Sequence, residues 1–174
     1  FREVHAKQAH FGQAPLADVG LYFSHRTRDW VGREQPGDYF TAFQGAHKAL
    51  VFAHIPCGVV LDENVNAETL HRFPVVVLPN AGILRAQEGD LFSAYVEKGG
   101  KLIITGLSGC YDRLGASAGN STLEALLGAH LVEALPAKDN WVRLSGEMPE
   151  TLYASIPADW PFLVKGPAAV YQPD

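Results

Sequence analysis

Cysteine is almost missing from this chain: Cys57 and Cys110 are the only two among 174 residues. Two thiols make neither a disulfide framework nor a zinc set, and a reduced, cytoplasmic setting is expected. None of the seven histidines forms a His-x-x-x-His pair or stands at zinc-finger spacing from a cysteine, so no metal is expected. Positive charge is also scarce. Fourteen Lys and Arg face nineteen Asp and Glu, for a net charge of −5 with no basic stripe, so nucleic acid is not an expected partner. No apolar run approaches the ~20 residues of a membrane span, and no membrane partner is expected. The opening "FREVHAKQAH" lacks an initiator Met, an apolar signal core and a cleavage motif, so the chain reads as a piece of a longer protein. Gly106, Gly109, Gly115 and Gly119 match neither the dinucleotide fingerprint nor a P-loop, and no cofactor is expected.

What is present suits one domain with a real core: 47% of residues are hydrophobic and 19% charged. Residues 1–16 read as a helical lead-in and linker from an upstream domain. "ADVGLYFSH" (17–25) is a strand by its Val, Leu, Tyr and Phe content. A polar loop follows to residue 38. In 39–54, Phe40, Phe43, Ala46, His47, Leu50 and Val51 recur at helical intervals. "IPCGVVLDE" is a second strand and "NAETLHRF" a short helix or turn. "PVVVLP" is apolar throughout, as a strand covered on both faces should be. Residues 86–100 form a helix stopped at Gly99, and "KLIITG" is the fourth strand. Ser121 and Glu124 stand at capping-box spacing and predict a helix over 121–130. The same polar residues explain the "NST" at 120–122 better as a helix start than as a glycosylation sequon. Alternating buried strands and helices imply an α/β domain over 17–135 with a mostly parallel sheet wrapped on both faces. In 136–174 the pattern becomes short extended segments, "WVRLSG", "TLYASI" and "FLVKG", read as added strands or the start of a following module.

The unit "RFPVVVLPNAGILRAQEGDLFSAYVEKGGKLIITGLSG" resembles the trimerisation domain of glycoside hydrolase family 42 β-galactosidases and related glycosidases. The resemblance spans roughly residues 17–115. It implies a three-layer, flavodoxin-like sandwich of the class I glutamine amidotransferase type. It also implies a non-catalytic assembly domain that self-associates, as a trimer in that family, beside a catalytic barrel in the same chain. The catalytic carboxylates of such enzymes lie on the barrel, so none is carried onto these positions.

Amidotransferases of this fold end the corresponding strand in a Gly-x-Cys-x-Gly elbow. Laid on that pattern, Leu107 stands where the nucleophile belongs, and Gly109 matches the last glycine. Leucine has no nucleophilic atom, so the elbow is degenerate. Ser108 and Cys110 are the fallback nucleophiles of an alternative reading, a free-standing hydrolase. Either needs a base and an orienting group, and the family's His-x-Glu pair is misspaced at His130 and Glu133. A third reading is a small-ligand module over the strand ends at Ser24, Pro79 and Leu107. The most informative polar stretch is "SHRTRDWVGREQPGD", with His25, Arg26, Arg28, Asp29, Trp30 and Arg33 at the carboxyl end of the first strand. There it serves as a solvated loop, as a domain or subunit interface, or as a carbohydrate contact in which Trp30 stacks on a sugar face.

Overall fold

The computed structural model describes residues 1–12, 16–34, 36–137, 139–144, 157 and 159–174. The expected strand "TLYASI" lies outside the described residues. The lead-in forms one short helix, α1 (Arg2–Ala6), and a 3-10 turn at Gln8–His10, with every side chain exposed.

Four parallel strands make the central sheet: β1 (Val19–Phe23), β2 (Cys57–Leu61), β3 (Val75–Pro79) and β4 (Lys101–Thr105), in the order β2-β1-β3-β4. Val19 pairs with Cys57 on one side and Val75 on the other, and Val75 with Lys101 beyond it. The inner strands β1 and β3 are buried almost throughout, which is why "VGLYF" and "VVVLP" are apolar without alternation. Helices α3 (Ala67–His71) and α4 (Ala86–Glu97) cover one face. That face holds the larger core, built on Tyr22, Leu70, Phe73, Val76, Leu78 and Phe92. Helix α2 (Pro36–Phe52) covers the other through Phe43, Ala46 and Leu50, packed on Val19, Leu21 and Val77. One helix cannot span four strands. Val59 on β2 and Ile103 on β4, register partners of Leu21 and Val77, are therefore left about half exposed.

Phe73 decides how tightly α3 approaches the sheet. A Cβ on Gly20 would lie 2.8 Å from its ring, and one on Gly58 3.0 Å. The ring thus lies on two adjacent strands stripped of side chains. Gly99, at φ +93, ends α4 in the left-handed conformation expected of a helix-terminating glycine.

Two expectations are corrected. The polar loop after β1 is not irregular: it winds into a π-helical turn over Thr27–Val31, and α2 begins at Pro36 rather than residue 39. Asp38 then lies in the first turn of α2, where its negative charge suits the positive helix end. The helix expected over 121–130 is a single turn, α5 (Glu124–Leu127), closed by Gly128 at φ +58. The Ser121 hydroxyl donates to the Ser108 carbonyl at 2.8 Å and accepts the Leu123 N–H at 3.1 Å, while the Glu124 N–H bonds the Ser121 carbonyl at 3.0 Å, so the expected Ser121–Glu124 capping box does not form. Ala129 and His130 instead open β5 (Ala129–Leu135), which pairs antiparallel with β8 (Ala168–Pro173). Strands β6 (Asp139–Val142) and β7 (Phe162–Lys165) form a separate antiparallel ribbon. The added strands expected of the C-terminal part are thus present as two small sheets.

Phe73→Ala removes the side chain that fills the glycine-lined bed. It should cost about 3–4 kcal/mol in urea unfolding; a loss under ~1 kcal/mol would show that the ring is not a core element.

Candidate functional site

In sheets of this kind the ligand crevice lies at the carboxyl edge, where the strand order reverses, here between β1 and β3. Side chains fill it. Ser24, directly after β1, is fully buried, and its N–H donates to the Tyr39 hydroxyl at 2.6 Å. Burial raises the Tyr39 phenol to about 12, so it stays protonated. The Thr27 hydroxyl donates to Ser24 Oγ at 2.8 Å and accepts the Ile83 N–H at 3.0 Å. These bonds pin the π-helical turn to the loop after β3. Ser24 and Pro79 are sealed and Leu107 is half-buried, so the strand-end surface of the ligand-module reading is largely closed.

Beside this plug lies a buried ionic cluster. Asp62, the residue after β2, accepts from His25 Nδ1 at 2.9 Å and pairs with Arg26 Nη1 at 3.4 Å. Glu88, in the first turn of α4, pairs with Arg26 Nη2 and accepts from the Tyr22 hydroxyl at 3.2 Å and the Arg85 N–H at 2.8 Å. Both carboxylates are about 1% exposed. The Tyr22 phenol is raised well above its ordinary range, first by burial and then by the Glu88 charge. Arg26 Nε is buried with no hydrogen-bond partner among the described residues.

The six residues singled out after β1 therefore separate. His25 and Arg26 turn into the cluster. Arg28 and Asp29 pair with each other at 2.6 Å in solvent, and Arg33 is exposed. Trp30 is 44% exposed on the π-helical turn. Its backbone rests on the turn at Gly115, where a Cβ would come within 2.9 Å of the Trp30 carbonyl. Asp62, Glu88 and Tyr22 escaped the sequence reading. The signals were an acid directly after an apolar strand, "VVLD", and a Glu at the third position of a helix.

The elbow after β4 is held rigidly. Gly106 has φ +62, and a Cβ there would meet Asn80 Oδ1 at 2.5 Å; that oxygen accepts the Leu107 N–H at 2.9 Å. Ser108 is fully buried. Its hydroxyl accepts from the Ala81 N–H at 2.9 Å and donates to the Thr105 carbonyl at 2.8 Å. Cys110 is 2% exposed, with Sγ 3.5 Å from the Tyr171 hydroxyl, and burial raises its thiol. His130, on β5, reaches Asp174 at 3.1 Å. Neither candidate nucleophile has an imidazole among its hydrogen-bond partners. Beyond the elbow, Ile104, Thr105, Gly106, Leu127, Ala168 and Tyr171 line an open groove of about 510 Å³.

Comparison with known proteins adds a family. The model of the beta-galactosidase trimerisation domain matches residues 17–155. This chain belongs to that family. Among solved structures, a beta-galactosidase from Bacillus circulans sp. alkalophilus superposes with a TM-score of 0.78 at 16% identity, over 99% of this chain and 26% of that one. A beta-galactosidase from Rahnella sp. R3 gives 0.72 at 20% identity, over 98% and 25%. A putative ThuA-like protein from Bacteroides uniformis gives 0.59 at 18% identity, over 93% and 63%. The trimerisation domain thus spans about a quarter of the length of those beta-galactosidases. No curated protein matches the sequence. No helix among the described residues is long and apolar enough to cross a membrane.

Glu88→Ala leaves Arg26 charged and half enclosed without its main partner. It should cost about 3 kcal/mol, read by urea titration; an unchanged midpoint would remove the cluster from the stability argument. In the native protein a thiol reagent should modify half-buried Cys57 well before Cys110, with both reacting in denaturant. Faster reaction at Cys110 would contradict the inert thiol described above.

Proposed function

We propose that this domain assembles a larger glycosidase of the β-galactosidase type. It associates with copies of itself, as a trimer, and is joined in one chain to a catalytic barrel that carries the reaction. The family match over residues 17–155 carries this reading. The elbow supports it, because Leu107 supplies no nucleophile and the Ser108 hydroxyl is committed to backbone partners. No observation favours the free-standing hydrolase. In the proposed role the site residues act as structure: His25 and Arg26 lock the carboxyl edge, and Ser108 and Cys110 sit in the core of the elbow. The exposed group, Trp30 with Arg28 and Asp29, is a contact surface at the rim of a barrel's sugar pocket. Indole stacks on the apolar face of a pyranose, and the surface Arg28–Asp29 pair would exchange its mutual bonds for sugar hydroxyls. A cytoplasmic parent enzyme is part of the same reading, which the two free thiols support.

Sedimentation velocity of the purified chain tests the assembly role: a concentration-dependent trimer is expected, and a monomer at all concentrations refutes it. In the full-length enzyme, Trp30→Ala should raise KM for a β-galactoside several-fold. If neither KM nor assembly changes, Trp30 is not a contact residue.

A further inference from the structure

The π-helical turn that carries Trp30 is fixed at both ends. Its first residue, Thr27, bonds Ser24 Oγ and the Ile83 N–H. Its last residues rest on a second loop, residues 110–118, which follows the elbow. A Cβ on Gly115 would lie 2.9 Å from the Trp30 carbonyl oxygen, 3.0 Å from the carbonyl carbon and 3.3 Å from the Val31 nitrogen. All three are backbone atoms, so no side-chain rotation relieves that contact. Gly115 also has φ +82, a conformation in which any side chain is strained.

Hydrogen bonds stiffen this second loop. The Asp112 carboxylate accepts the Leu114 N–H at 2.8 Å and the Ala116 N–H at 2.9 Å. The Ala118 N–H donates to the Cys110 carbonyl at 2.8 Å, and Tyr111 bridges to Ser117. The loop stands on the segment that also holds Thr27. The Tyr111 N–H donates to the Gly82 carbonyl at 3.0 Å, and Tyr111 bridges in parallel to Ile83. A Cβ on Gly82 would meet the Tyr111 ring at 2.8 Å and the Thr27 methyl at 3.5 Å. Turn and loop thus share one footing at residues 82 and 83 and meet again at Gly115.

We infer that Asp112 and Gly115 are positioning residues for Trp30: their loop sets where the turn, and with it the exposed indole, stands. Holding a contact residue in place before its partner arrives removes part of the ordering cost of binding. The placement is carried by the contacts within this chain. Its effect on KM rests on the sugar contact proposed above for Trp30.

Fluorescence of the purified chain tests the placement, with thermal melts to verify the fold. Trp141→Phe with Trp160→Phe leaves Trp30 as the sole indole. In that background Gly115→Ala should red-shift the emission and raise acrylamide quenching, as the turn lifts off the loop. Asp112→Ala adds no bulk and should move both in the same direction by loosening the loop. Gly119→Ala is the control. Gly119 has the same φ of +82, yet among the described residues no atom lies within 4 Å of its Cβ position. It should leave the Trp30 signal unchanged. Unchanged emission and quenching in Gly115→Ala, or an equal shift in Gly119→Ala, overturns the inference. In the full-length enzyme, Gly115→Ala should raise KM for a β-galactoside several-fold with kcat kept, and should add nothing to Trp30→Ala. If Trp30→Ala raises KM and Gly115→Ala does not, the positioning role is wrong. If Trp30→Ala itself leaves KM unchanged, the sugar contact falls and the fluorescence alone decides the placement.

Discussion

A carboxylate with almost no solvent contact holds the carboxyl edge of this domain shut. Glu88 sits at the start of α4, yet its partners come from β1, from the residues after β1 and from its own helix cap. Through Arg26 it is linked to Asp62 and His25, so three chain segments meet in one charged cluster. Burying carboxylates is costly unless each oxygen finds donors, and these do. The edge where such folds bind ligands has become a structural joint.

The elbow after β4 tells a related story. Its backbone turns tightly at Gly106, which has φ +62 and packs against Asn80. Leucine occupies the reactive position, and the neighbouring hydroxyl spends its hydrogen bonds on the backbone of Ala81 and Thr105. Cys110 is buried under Tyr171 and kept in its protonated form. Rigid geometry without a reactive group suits a scaffold, and the family to which the chain belongs is defined by assembly.

Several elements were legible before any coordinates. β1 and β3 were visible because strands buried on both faces are apolar at every position, and α4 because its stripe ends in a glycine that takes positive φ. The degenerate elbow was readable from one residue type, Leu107. The helix expected over 121–130 stops after one turn because Gly128 takes φ +58 and Ala129 and His130 are drawn into pairing with β8, a partner some forty residues away in the chain. The turn carrying Trp30 looked like a plain polar loop because its order comes from Ser24 and Thr27 bonding to a segment some sixty residues away.

The sequence by itself determined the α/β pattern, the likeness to an assembly domain and the leucine between Gly106 and Gly109. Periodicity, a long strand–helix–strand unit and a residue's chemical type are all written locally. Only the tertiary structure decided which polar residues work together. His25 and Arg26 went inward and Trp30 outward because Asp62 and Glu88 come within reach only when β2 and α4 pack beside β1. Edge and centre were likewise settled by strand order, which left Val59 and Ile103 bare where one helix covers a four-stranded face.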